Sequence, residues 1–199
     1  MILTQWTLSL PDWILEWQKE HESLTYASEE ARLELAIDLS LKNVEHGTGG
    51  PFGAVIFDDE TGEIFALGVN RVVPQHCAIA HAETMAIMAA QQKAQNYTLN
   101  TRKYHLASSA QPCAMCCGAV AWSGLSRLTF AATKEDVEEN TGFDEGPLHP
   151  HWDEELKRRG IQSTGGLLRE KAVTVFHLYI QNNGKVYNGK ETKLIPQPR

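Results

Sequence analysis

The 199-residue sequence contains no apolar run that approaches the roughly 18–20 residues needed to span a membrane. It also lacks a basic N-terminal region, because its first cationic side chain is Lys19, and this argues against a secretory signal. We therefore expect a cytoplasmic protein with no membrane partner. Four cysteines are few for a disulfide framework, and in such a protein they indicate a metal or reactive site.

An excess of basic residues is missing as well. The chain has 18 Lys and Arg side chains against 25 Asp and Glu, which gives a formal net charge of −7. A surface with this balance repels phosphate backbones. The composition therefore argues against a nucleic-acid partner and favours a small-molecule substrate.

Internal repeats and low-complexity tracts are also absent, and the hydrophobic fraction of 42% is ordinary for a folded protein. The length predicts a single domain over residues 1–199, with a core at about 28–180 and a C-terminal tail at 181–199. Hydrophobic periodicity predicts helices at 28–44, 82–95, 113–122 and 154–159. It predicts strands at 53–57, 63–69, 104–107, 128–132 and 172–180. This order indicates an α/β fold, with a mixed sheet of about five strands and helices on both faces.

Two short segments carry metal-binding residue types at the predicted starts of helices. The first is His81-Ala82-Glu83, and the second runs from Pro112 through Cys113 to Cys116. Cysteines three residues apart lie on one face of a helix. Two thiolates and one imidazole suit Zn²⁺ and leave its fourth position to water.

Glu83 lies two residues from His81, close enough to share the site without being a ligand. A carboxylate in that position can take a proton from water and pass it to a leaving amine. The combination matches the H-x-E…P-C-x-x-C signature of zinc-dependent nucleobase deaminases. The pattern therefore predicts hydrolytic deamination.

With these motifs the chain resembles the cytidine/deoxycytidylate deaminase superfamily over about residues 28–145. The resemblance implies a three-layer α/β/α sandwich with a five-stranded sheet, one catalytic Zn²⁺ per chain and a homodimer. It also implies that His81, Cys113 and Cys116 are the ligands and that Glu83 is the proton shuttle. Gln111 departs from the Glu that many relatives have before the Pro-Cys pair, which changes a contact behind the ligands.

Three further segments, 49–55, 68–70 and 141–145, look most like those of bacterial guanine deaminases, which convert guanine to xanthine and ammonia. That resemblance implies substrate contacts spread over several segments, from Asn70, Phe52, the backbone of Gly53 and Ala54, and Glu145, with Asp144 as the alternative to Glu145. A carboxylate suits guanine, whose edge carries N–H donors. The resemblance also suggests that the tail after Gln181 closes over the site.

Other functions also fit this sequence. A tRNA adenosine deaminase shares both zinc motifs, and cytosine or nucleoside deamination is a third possibility within the enzymes. A catalytically inactive zinc-binding assembly module is the non-enzymatic alternative, and Glu83 argues against it because a structural zinc site has no use for a shuttle carboxylate. The sequence does not choose between guanine and related aminated heterocycles, and it assigns no role to His149 or His151.

Overall fold

The structure is a computed structural model that describes residues 2–189. Met1 and residues 190–199, the end of the predicted tail, lie outside the described residues. The described elements, in chain order, are α1 (Ile14–His21), α2 (Glu29–Glu45), β1 (Gly53–Asp58), β2 (Ile64–Val69), α3 (Ala82–Ala94), β3 (Tyr104–Ala110), α4 (Ala114–Ser123), β4 (Arg127–Ala132), α5 (Lys134–Thr141), α6 (Trp152–Arg158), β5 (Gln162–Gly165) and α7 (Arg169–Gln181). Within residues 2–189, no helix is both long enough and apolar enough to cross a bilayer.

The five strands form one mixed sheet in the order β2-β1-β3-β4-β5. Strand β1 runs antiparallel to both β2 and β3, whereas β3, β4 and β5 run parallel to one another. The predicted mixed sheet of five strands is therefore confirmed. Since β3 and β4 are parallel, the chain must cross over between them, and α4 forms this connection.

Two hydrophobic cores flank the sheet, one on each face. One core packs α1, α2, α5 and α7 against the sheet, and it includes Leu33, Val55 and Phe176. The other packs α3, α4 and α6 against the opposite face, and it includes Ile56 and Leu106. Neighbouring residues of β1, such as Val55 and Ile56, thus point to different cores, as the alternation of side chains along a strand requires. This arrangement confirms the three-layer α/β/α class.

The prediction of a strand at 172–180 is wrong, because these residues belong to α7. β-branched and aromatic residues dominate the segment, which favoured a strand. Its buried positions, however, are Ala172, Val175, Phe176 and Tyr179, a helical spacing of three, four and seven residues. The fifth strand is instead β5, a short segment at the edge of the sheet with mostly exposed residues. Its sequence has no apolar alternation that would have predicted it.

Candidate metal and active site

Helix α3 positions the first motif. His81 is its N-cap residue, with an extended backbone (φ −74°, ψ 160°), and Glu83 lies in its first turn. The helix packs closely on β2, where a side chain at Gly68 would come within 2.2 Å of the Ala82 carbonyl oxygen. Glycine at this position therefore lets the start of α3 pack directly on the sheet. This close packing sets the distance of His81 and Glu83 from the sheet.

Helix α4 positions the second motif. Cys113 is its N-cap residue, and its Sγ accepts a hydrogen bond from the backbone N–H of Cys116 at 3.5 Å. Helix α4 begins soon after the end of β3, and the backbone N–H of Gln111 donates to the carbonyl of Ala132 at the end of β4. Both motifs begin helices, as the sequence predicted, and the two helices lie on the same face of the sheet.

The side chains of the two motifs meet in space. Potential ligand atoms of His81, Cys113 and Cys116 all lie within 4.8 Å of one another. The Cys113 Sγ and His81 Nδ1 are 3.6 Å apart, and the Cys116 Sγ contacts Glu83 Oε2 at 3.4 Å. Tetrahedral Zn²⁺, with arms of about 2.0–2.3 Å, needs its ligand atoms roughly 3.5 Å apart. The donor set and its spacing therefore fit Zn²⁺.

The two cysteines differ in their pKa values. Hydrogen bonds from Cys116, together with the contact and charge of His81, lower the pKa of Cys113 to about 4 despite its burial, so this sulfur is a thiolate at neutral pH. The hydrogen bond to Cys113, together with burial, raises the pKa of Cys116 well above its usual range. Because zinc binds thiolates, metal binding has to displace the proton of Cys116.

Glu83 lies against the two cysteines as a nearly fully buried carboxyl. Burial, reinforced by the nearby Cys113 sulfur, raises its pKa to about 7, although the charge of His81 opposes the shift. An acid with a pKa near neutrality is suited both to accept and to donate a proton at neutral pH.

A cavity of about 620 Å³ opens beside this cluster. Seven of the predicted site residues contribute to its lining: Phe52, Asn70, His81, Glu83, Cys113, Asp144 and Glu145. The cavity is therefore large enough for a nucleobase and is bordered by both the metal-binding side chains and the predicted recognition residues.

Asn70 and Glu145 offer the cavity two buried polar groups. The Asn70 side chain is fully buried, and its Oδ1 accepts from the backbone N–H groups of Gly50 and Val72, each at 3.3 Å. Its Nδ2 has no partner among the described residues, so a donor is left for a ligand. The Glu145 carboxyl is 9% exposed, and burial, reinforced by Cys113 and Glu83, raises its pKa to about 8.

The structure separates Glu145 from its neighbour Asp144. Asp144 is exposed, and its Oδ1 accepts from the N–H of Gly146 at 2.8 Å. Of these two neighbours, Glu145 is the one that places a buried carboxyl at the cavity, so the structure favours it over Asp144. Phe52 contributes an apolar wall and packs edge-on against Phe143, with ring centroids 5.5 Å apart.

Gly53 and Ala54 do not contribute to the cavity lining, so the predicted contact of their backbone with a purine has no support there. The Gly53 N–H donates to Ser109 Oγ at 3.0 Å, and its Cα packs against α2. Ala54 is fully buried in the core between the sheet and α3. Both residues thus hold β1 in place next to Phe52 rather than facing the cavity.

Sequence reasoning missed several residues of the cavity wall. His76 and Cys77 come from the loop after β2, and Lys185, Tyr187 and Asn188 come from the segment after α7. No motif marks these positions. The predicted approach of the tail to the site does include this last segment, but no sequence pattern indicates which of its residues reach the cavity.

Comparison with known proteins places these features in a family. Residues 27–132, more than half of the chain, match the family described as the cytidine and deoxycytidylate deaminase zinc-binding region. Guanine deaminase from Bacillus subtilis is 37% identical over 132 residues, which cover 66% of this chain and 81% of that protein. A tRNA-specific adenosine deaminase from Buchnera aphidicola is 40% identical over 91 residues, which cover 45% of this chain and 57% of that protein.

Solved structures extend the similarity to almost the whole described chain. Guanine deaminase from Nitrosomonas europaea has a TM-score of 0.83 and 38% identity, covering 90% of this chain and 98% of that one. A mutant of the protein NE0047 in complex with 8-azaguanine has a TM-score of 0.82 and 39% identity, covering 88% and 97%. With its two motifs assembled on the expected fold, the chain belongs to the cytidine and deoxycytidylate deaminase family of zinc-binding proteins.

Proposed function

We propose that the protein is a zinc-dependent hydrolase that converts guanine and water to xanthine and ammonia. A C–O bond forms at the ring carbon that carries the amino group, and the C–N bond to that group breaks. The observation that carries the choice of guanine is Glu145, a buried carboxyl that lines the same cavity as Glu83. The similarity to two guanine deaminases supports the same choice.

The residues of the first turns of α3 and α4 provide the reaction centre. His81, Cys113 and Cys116 would hold Zn²⁺, which lowers the pKa of water and so supplies a nucleophile at neutral pH. Glu83 takes a proton from the water and returns one to the departing amine, so its carboxyl ends the reaction as it began. Its burial and its pKa near 7 suit both steps.

Asn70, Glu145 and Phe52 would hold the base. The free Nδ2 donor of Asn70 matches a ring nitrogen or carbonyl acceptor of guanine, and Glu145 matches the N1–H and N2–H₂ donors. A base that lacks those donors would leave the buried carboxyl unpaired, at a cost of roughly 1–3 kcal/mol or more. Phe52 packs against the base at the apolar wall.

The deciding experiment measures ammonia release by the zinc-loaded protein from guanine, with adenine, cytosine and cytidine in parallel. We expect release from guanine, reduced at least about 100-fold in Glu83→Gln, because that variant keeps the shape but loses the proton transfer. Zinc content should be equal in both proteins, since Glu83 is not a ligand. Equal turnover in the variant would contradict the role of Glu83.

Other outcomes would redirect the proposal. Release from cytosine or another aminated heterocycle but not guanine would keep the chemistry and remove the role of Glu145. Release only from a tRNA substrate would favour the second candidate, which the Buchnera relative supports and the net charge of −7 opposes. Tight zinc binding without any turnover would favour an assembly module.

We also infer a homodimer located in the cytoplasm, where it would act in purine metabolism. The family resemblance supports each of these statements. Light scattering after size-exclusion chromatography should give about twice the mass of one 22.2 kDa chain. A monomeric mass at micromolar concentration would contradict the dimer, and recovery with the membrane or secreted fraction would contradict the location.

A further inference from the structure

The turn at residues 142–146 carries Glu145 and belongs to no helix or strand. Glycines with positive φ stand at both of its ends, Gly142 at +76° and Gly146 at +72°. Such a backbone has many accessible conformations, so its shape depends on the groups that bind it. The orientation of Glu145 toward the cavity is therefore set by contacts from outside the turn.

Contacts from the deaminase core hold the turn on one side. The carbonyl of Glu145 accepts from the N–H of Ala114 at 3.0 Å, which ties the turn to the first turn of α4. The N–H of Glu145 lies 3.4 Å from Glu138 Oε1, and Lys134 Nζ lies 3.4 Å from the carbonyl of Gly146. The last two contacts are long. Helix α5 therefore holds Glu145 itself only weakly, although it holds the start of the turn, where the N–H of Gly142 donates to the carbonyl of Glu138 at 3.0 Å and the N–H of Phe143 donates to Thr141 Oγ1 at 3.1 Å.

Asn188 holds the turn from the other side with two shorter hydrogen bonds. Its Oδ1 accepts from the N–H of Asp144 at 2.9 Å, and its Nδ2 donates to the carbonyl of Gly142 at 3.1 Å. One side-chain amide thus pairs with the backbone on both sides of Phe143. This pairing fixes the direction of the chain immediately before Glu145.

Asn188 can act as a fixed point because the segment that carries it is itself anchored. The N–H of Gly184 donates to the carbonyl of Tyr179 at 2.8 Å, and the Tyr179 hydroxyl donates to the carbonyl of Lys185 at 2.7 Å. The ring of Tyr187 packs on that of Phe143, with centroids 4.6 Å apart. These contacts connect the segment to both α7 and the turn.

We infer that Asn188 is a positioning residue for base recognition, whose side-chain amide fixes the 142–146 backbone so that Glu145 faces the cavity. The inference rests on the proposed function for the identity of the base. The fixing of the turn by the hydrogen bonds of Asn188 does not depend on that function. Asn188 is exposed and contributes nothing to either core, so its removal should alter the site rather than the fold.

The test compares Asn188→Ala with Asn182→Ala in the full, zinc-loaded chain. Asn182 is an exposed asparagine at the end of α7, and its side chain has no hydrogen-bond partner among residues 2–189. Losing two hydrogen bonds in the turn should raise the KM for guanine about tenfold in Asn188→Ala, with kcat changed less than about twofold. Asn182→Ala should match the wild type.

A double-mutant cycle separates positioning from general loosening. In a Glu145→Gln background, Asn188→Ala should change the KM for guanine, or the Kd for 8-azaguanine, by less than about twofold. A full tenfold effect in that background would show that Asn188 does not act through Glu145. Equal behaviour of Asn188→Ala and Asn182→Ala would overturn the inference outright.

Amide hydrogen exchange tests, without any substrate, whether Asn188 fixes the turn. The N–H of Asp144 should exchange about tenfold faster in Asn188→Ala, while exchange in β3 stays unchanged. If the wild type released no ammonia from guanine but this exchange difference appeared, the proposed function would fail, and the role of Asn188 in fixing the turn would be confirmed. If guanine were turned over and Asp144 exchanged at its normal rate, only the inference would fail.

Discussion

At the scale of single residues, Glu145 and Asp144 show how burial assigns roles that neighbouring positions in a sequence leave open. Both are carboxyls in one turn, and the family resemblance put Glu145 first but left Asp144 as the alternative. In the fold, Asp144 is exposed, whereas Glu145 is buried beside the metal site. A buried carboxyl with unpaired oxygens costs free energy unless a ligand supplies donors, and this makes it selective.

Replacing Glu145 by Gln should lower kcat/KM for guanine by about 10- to 100-fold, because a carboxyl oxygen that accepts from the base becomes an amide donor facing guanine's own donors, at a cost of about 1–3 kcal/mol. Asp144→Asn is the matched control, since it keeps the Oδ1 that accepts from Gly146 and should stay within about twofold of the wild type. Steady-state ammonia release measures both. A larger loss in Asp144→Asn than in Glu145→Gln would mean that Asp144, and not Glu145, recognises the base.

The predictability of the site also differs from residue to residue. His81, Glu83, Cys113 and Cys116 could be recognised because their chemistry depends on local spacing at the start of a helix. The free Nδ2 of Asn70 and the approach of Asn188 depend on contacts between distant parts of the chain. No local pattern encodes such contacts, so these features had to come from the structure.

At the scale of elements, the period of the hydrophobic residues predicts helix or strand better than the residue types do. The segment at 172–180 is rich in strand-forming residues and nevertheless forms α7, because its buried positions follow the helical period. The error leaves the strand count correct only because β5, a four-residue edge strand, replaces the expected one. Edge strands with exposed residues lack the alternation by which strands are recognised.

The close packing of α3 on β2 at Gly68 should affect both stability and zinc binding. A Cβ at Gly68 would lie 2.2 Å from the Ala82 carbonyl oxygen and 2.5 Å from the Ala86 nitrogen. Gly68→Ala should therefore push α3 off the sheet and lower the free energy of unfolding by at least about 2 kcal/mol. Because α3 begins at His81, the variant should also bind zinc more weakly.

Gly118→Ala provides the control for this substitution, since a Cβ at Gly118 of α4 meets no atom within 4 Å. Alanine is the better helix former, so this variant should be more stable by about 0.5–1 kcal/mol. Urea denaturation and zinc content measure both variants. Wild-type stability in Gly68→Ala would mean that the close packing of α3 on β2 does not hold the metal site.

At the scale of the whole molecule, a buried polar cluster on the side of the sheet opposite α3 and α4 ties α2 to β3 and β4. The Arg32 guanidinium donates to Asp59 Oδ1 at 2.5 Å and to His105 Nδ1 at 2.6 Å. His105 Nε2 lies 2.8 Å from Thr129 Oγ1. Because arginine has no acceptor, His105 must present a lone pair at Nδ1 and stay neutral.

This cluster should make the stability of the whole fold depend on pH. Burial, together with the charge of Arg32, lowers the pKa of His105 to about 3, although Asp59 opposes the shift. Between about pH 6.5 and 3 the unfolded chain therefore binds a proton at this histidine that the folded chain does not. The contribution of His105 to stability must therefore fall as the pH falls through that window, by about 2 kcal/mol between pH 7 and pH 5. The raised pKa values of Glu83 and Glu145 act in the opposite direction over the same range, so the His105 contribution has to be isolated by substitution.

His105→Gln isolates this contribution, because its amide oxygen can still accept from Arg32 and its amide cannot ionise. Urea titrations at pH 7 and pH 5 measure the free energy of unfolding of both proteins. On going from pH 7 to pH 5, this free energy should change by about 2 kcal/mol in favour of His105→Gln relative to the wild type. Any loss of zinc at low pH affects both proteins and cancels in the comparison. Parallel pH profiles of the two proteins would mean that His105 accepts a proton in the folded state, which would require the Arg32 side chain to leave the contact that joins α2 to the sheet.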